Sequence, residues 1–182
     1  MKEAEATANK VLVIVYSYSG TSRRVAELLC AQQGWALAHI YDVLPRRGAI
    51  GVWRCVLDTL LRRQPAIRYD GPPPSDFDAV VLVSPIWLLQ LAGPMRSFVA
   101  RERRRLRKVA VLSVMGGQGE PDAAAEIGEL LGRAPVLSTA VTLREINDGR
   151  CARRLRALGD TLGSGEDPQA GAHSAALWPQ SV

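Results

Sequence analysis

"VLVIVYSYSGTSRRVAELLC", residues 11–30, is the stretch on which the reading of the chain turns. Val11–Tyr16 is a short β-branched apolar run, and after Thr21 the apolar residues return at helical spacing. Between them Ser17, Ser19, Thr21 and Ser22 place four hydroxyls within six residues, around Gly20. A helix N-terminus has unpaired N–H groups and the positive end of the dipole, both suited to a phosphate. Gly20 allows a tight turn close to an anion, and the hydroxyls donate to several phosphate oxygens at once. The plainer alternative is that these residues only cap the helix, which one or two of them would do. Four around a glycine favour phosphate.

Four more runs are short, apolar and β-branched: 36–43, 79–84, 109–114 and 136–143. At least three of the five runs are nearly continuous in apolar character, as expected of strands covered on both faces. Helical stretches separate them. Thr21–Gln33 places Val25, Leu28 and Leu29 on one face, and Trp53, Val56, Leu57, Leu60 and Leu61 follow the same rule further on. Further helices are predicted at 94–105 and 121–131, each with proline in the first turn, and at 148–162. Alternating β and α elements imply a parallel sheet between two helical layers. The long segment 44–75 reads as an embellished connection. Residues 163–182 have neither period nor core stripe, so one domain over 1–162 with a disordered tail is expected.

Composition narrows the function. Cys30, Cys55 and Cys151 are too few and scattered for a disulfide framework, and reduced thiols in a cytoplasmic protein fit them better. His39 and His173 are too isolated to complete a metal site. No apolar run reaches the ~18 residues of a membrane span, and the first ten residues carry no signal-like stretch. The net charge of +5 raises nucleic acid as a partner. However, "RERRRLRK" at 101–108 comes without any nucleic-acid-binding motif and reads more simply as solvated helix ends. Nucleic acid is disfavoured.

In open parallel sheets ligands bind beyond the carboxyl ends of the strands. "SPIWLLQLAGP" (84–94) follows the third run and offers Trp87 to stack on a flat heterocycle. "SVMGGQGE" (113–120) follows the fourth, and its backbone groups could read a polar ring edge. Rival motifs fail: GxxxxGK[ST] and GxGxxG are absent, and "YSYSG" lacks the first glycine of a nucleophile elbow.

These three loops, in this order, resemble those of the flavodoxin family. "YSYSGTSRRVAELL" is similar to its hydroxyl-rich FMN-phosphate loop. "DAVVLVSPIWLLQLAGPMRSFV" resembles its second loop, where an aromatic flanks the flavin ring, and "KVAVLSVMGGQGE" the glycine-rich third loop of its small oxidoreductases. The resemblance covers about 10–162 and implies a flavodoxin-like three-layer α/β sandwich with a five-stranded parallel sheet in the order 2-1-3-4-5. It assigns Ser17, Ser19, Gly20, Thr21 and Ser22 to the FMN phosphate. Pro85, Ile86, Trp87 and Leu88 would line the ring. The stretch 113–119, with Ser113, Met115, Gly116, Gly117 and Gly119, would form its third wall.

The implied chemistry is electron transfer through FMN, toward a redox partner protein, or NAD(P)H-dependent reduction of a quinone-type acceptor. A reductase would need a second pocket, often completed by a dimer partner, so a homodimer is one expectation. The alternative is a flavodoxin-like scaffold without flavin, acting as an interaction module through its basic face.

Overall fold

The computed structural model describes residues 9–43, 61–87, 90–116 and 123–164. Its strands are β1 (Val11–Tyr16), β2 (Ala36–Asp42), β3 (Ile67–Asp70), β4 (Ala79–Trp87), β5 (Gln90–Leu91), β6 (Lys108–Met115) and β7 (Leu137–Thr142). Its α-helices are α1 (Thr21–Gln33), α2 (Gly93–Glu102), α3 (Ala123–Leu131), α4 (Leu143–Asn147) and α5 (Cys151–Gly163). The main sheet runs β3-β2-β1-β4-β6-β7. Its parallel part, β2-β1-β4-β6-β7, has the order expected of the five apolar runs. In register, Val13 lies beside Leu37 and Val81, and Val81 beside Ala110.

Strands β1, β4 and β6 are buried almost throughout, because helices cover both faces. Leu12, Ile14 and Tyr16 point to one layer, where Met95, Phe98 and Val99 of α2 and Ile127 of α3 meet them. Val11, Val13 and Val15 point to the other, against Val25 and Leu29 of α1 and Leu155 and Leu158 of α5. The period of two along each strand thus sorts one apolar run into two cores.

Several expectations need correction. The sheet has two short antiparallel additions, so five strands undercounts it. β3 pairs with the edge of β2, placing Tyr69 opposite Ile40, and β5 folds back on β4, placing Leu91 opposite Ile86. Both additions are too short to show a period in sequence. Leu28 is 38% exposed, whereas Ala26 and Ser22 are buried with Val25 and Leu29 on the inner face of α1. α2 ends at Glu102, short of 105, where Arg101 and Arg105 both reach the Glu102 carboxylate. The predicted 148–162 helix is preceded by the separate α4, and Gly149, at φ 70°, turns the chain between the two. Trp53, Val56, Leu57, Leu60 and Cys55 lie outside the described residues, while Leu61 sits in a turn. So does the tail from 165 onward, including His173. No described helix is long and apolar enough to cross a membrane.

Cys30 and Cys151 are free thiols. Burial, with the Glu27 charge behind it, pushes the Cys30 thiol up from 9.0 to about 11. A rise of that size leaves roughly a hundredfold less thiolate at neutral pH. Cys30 is therefore expected to react with iodoacetamide far more slowly than a free cysteine in the native protein, and at the ordinary rate in urea. Equal rates in both states, followed by peptide mass spectrometry, would contradict this.

Candidate functional site

The loops at the carboxyl ends of the parallel strands surround one cleft of about 250 Å³. Ser19, Thr21 and Ser22 come from the β1–α1 turn, Pro85, Ile86 and Trp87 from the end of β4, and Val114, Met115 and Gly116 from the end of β6. The sheet order makes this inevitable. β1, β4 and β6 are neighbours, so three loops far apart in sequence are adjacent in space.

The first wall tests whether the hydroxyls are helix caps. The N-cap of α1 is Gly20 itself, at φ 90°, and no side chain caps the helix. Such a φ is one that L side chains rarely adopt, which is why glycine stands there. No acid occupies the first turn. Ser19 and Thr21 hydroxyls touch each other at 3.2 Å, and Ser22 is buried. Ser17 Oγ is buried and finds no hydrogen-bond partner among the described residues. A buried hydroxyl without a partner carries a desolvation cost that an oxygen-rich ligand would relieve. Uncapped N–H groups, spare hydroxyls and a first turn without an acid suit a phosphate group.

The second wall is aromatic. Trp87 is half-buried, packs on the core and meets two tyrosines edge-on: Tyr16 at 6.2 Å and 82°, and Tyr18 at 5.8 Å and 87°. Edge-to-face packing of this kind holds a ring in one orientation. Tyr16 is itself fixed, being buried and donating its hydroxyl hydrogen to Asp42 Oδ2 at 2.9 Å. The indole is therefore both a packed residue and a cleft wall.

Of the predicted site residues, Ser19, Thr21, Ser22, Pro85, Ile86, Trp87, Met115 and Gly116 line the cleft together. Gly20 shapes the turn from its N-cap position. Ser17 and Ser113 are not among the lining residues; the hydroxyls of both are buried and without a partner among the described residues. Leu88, Gly117 and Gly119 lie outside the described residues. Leu143 was missed. It lines the cleft with its side chain 40% exposed. Its signal was available, since it directly follows the fifth apolar run and the carboxyl-end rule applies there too. A capping box sets Leu143 in place as the first residue of α4. Thr142 Oγ1 accepts from the Glu145 N–H at 3.2 Å, and Glu145 Oε2 accepts from the Thr142 N–H at 2.9 Å.

The basic run lies elsewhere. Residues 103–107 precede β6, and Met115 at its far end lines the cleft. The cluster therefore sits at the opposite edge of the sheet.

Similar structures fall in one fold class. A flavoprotein of Lactobacillus acidophilus NCFM, crystallised in complex with FMN, is 20% identical with a TM-score of 0.65, over 78% of this chain and 98% of that one. A flavoprotein candidate of Bacteroides eggerthii DSM 20697 is 22% identical with a TM-score of 0.70, over 85% and 98%. A flavone reductase is 12% identical with a TM-score of 0.54, over 92% of this chain and 65% of that one. No protein-family model and no curated protein matches the chain. The fold is flavodoxin-like.

The backbone hydrogen bond from Thr142 holds the Glu145 carboxyl below its ordinary 4.5; burial opposes it, and the Thr142 hydroxyl, Arg154 and Arg150 each add a smaller lowering. A depressed folded value means stability that is present above the unfolded value and is lost as pH falls through the folded one. Glu145→Gln should therefore lower the neutral plateau modestly and flatten the acid limb, so that the two proteins converge in stability as pH falls through the folded value. Urea melts at a series of pH values check it, and an unchanged acid limb would count against the capping box.

Proposed function

We propose that this protein binds FMN non-covalently in the cleft and transfers electrons through it, as an NAD(P)H-dependent reductase of a quinone-type acceptor or as an electron carrier. One observation carries the reading. An uncapped, hydroxyl-rich helix N-terminus and an aromatic wall share one cleft at the carboxyl edge of the sheet. Ser19, Thr21 and Ser22, with the first N–H groups of α1, would hold the phosphate. Ile86, Trp87, Met115 and Gly116 would border the ring system. The likeness to an FMN complex supports the same ligand. When bound, FMN supplies the redox chemistry. The chain's own residues bind, orient and partly shield it.

Trp87 suits a wall for a flat ring because Tyr16 and Tyr18 stop it rotating, so little ordering accompanies binding. Leu143 keeps an apolar, partly exposed rim, where an acceptor with a flat apolar body would lose water on arrival. Because the arginine run is at the opposite edge, it does not line the route into the cleft. That separation leaves the basic face free for an interaction role, which is the second reading, a scaffold without flavin.

Absorbance in the flavin bands separates the readings. Protein that stays colourless when FMN is added would favour the scaffold. Replacing Thr21 and Ser22 together by alanine should weaken FMN at least about tenfold, since hydrogen bonds to a charged acceptor contribute about 1.5 to 3 kcal/mol each. Riboflavin, which lacks the phosphate, should bind as before. Equal losses for both ligands would place the phosphate elsewhere.

A further inference from the structure

We propose that the buried Arg96–Glu126 ion pair is the positioning device of the aromatic wall, gripping β5 and through it the end of β4 that lines the cleft. Its functional meaning rests on the FMN reading, whereas its geometry stands without it. Arg96 on α2 and Glu126 on α3 are 3% and 6% exposed, and the Arg96 Nε donates to Glu126 Oε1. Both charges also reach the same residue. The Leu91 N–H donates to Glu126 Oε2 at 3.3 Å, and Arg96 Nη2 donates to the Leu91 carbonyl at 3.0 Å. Arg96 Nη1 donates further, to the Arg63 carbonyl at 3.2 Å.

Leu91 belongs to a strand of two residues, whose partners on β4 are Ile86 and Trp87. So short a strand has little ladder of its own to hold it, and buried backbone groups need partners. The ion pair satisfies an N–H and a C=O of Leu91 together. It also links β5 to α3, because Glu126 bonds both Leu91 and Arg96. Packing alone does not account for the pair, because two apolar side chains of similar volume join helices without the cost of burying charge. Two apolar side chains could not bond Leu91.

The test uses the full chain and two variants. Glu126→Gln removes one charge and keeps a carbonyl for the Leu91 N–H. The double variant Arg96→Met with Glu126→Met removes both, leaves no lone buried charge, and carries the measurement if the single variant fails to fold. Hydrogen exchange is followed, without flavin, in peptides covering 85–93 and 11–30. Exchange across 85–93 should rise about tenfold while 11–30 keeps its protection, as for a local opening. FMN and riboflavin should both weaken by a common factor of about ten, because the wall serves the ring that both contain.

Uniform loss of protection, or unchanged exchange in 85–93, would overturn the proposal. So would selective exchange with both flavins binding as before, or a loss confined to FMN. Unmodified protein that binds neither flavin would overturn the FMN reading alone, because the exchange measurement needs no flavin.

Discussion

The three central strands, β1, β4 and β6, are buried on both faces, and the rest of the molecule follows from that constraint. A strand with no solvent face can carry no charge along its length, since an unpaired buried charge is too costly. Polar chemistry is therefore driven to the strand ends. At one edge the ends bring hydroxyls, an indole and a glycine into a cleft. At the other, the turn before β6 collects arginines. The two edges can then serve unrelated purposes, with a full strand length between them.

The cleft itself is held by interactions of different kinds. The hydroxyl wall depends on backbone geometry, because Gly20 ends the turn in a conformation that leaves the first N–H groups of α1 uncapped. The aromatic wall depends on side-chain packing between Tyr16, Trp87 and Tyr18. Leu143 depends on a capping box. Tyr18, which comes from the hydroxyl turn and packs on Trp87, couples the first two walls.

Much of this was legible in the amino-acid sequence. The five apolar runs name the parallel strands to within a few residues, because burial on both faces demands a continuous apolar segment. The turn 17–22 and Trp87 stand out because hydroxyls around a glycine, and an indole at a strand end, are conspicuous residue choices there. Ala26 replacing Leu28 on the inner face of α1 was not legible, since a 100° period tolerates either phase over so few turns.

What only the tertiary structure decided are the contacts that join distant segments. The pairing of β3 with β2 and of β5 with β4 involves strands too short to carry a period. The meeting of Arg96 with Glu126 across two helices, and of both with Leu91, depends on how α2 and α3 pack on one face of the sheet. In sequence, each of those charges looks like an ordinary surface residue. The sequence by itself determined the strands, the layers and the hydroxyl turn, because local pattern and burial specify them. Packing decided which side chains of separate loops share a cleft and which charges are buried, because those depend on the approach of elements that no local pattern encodes.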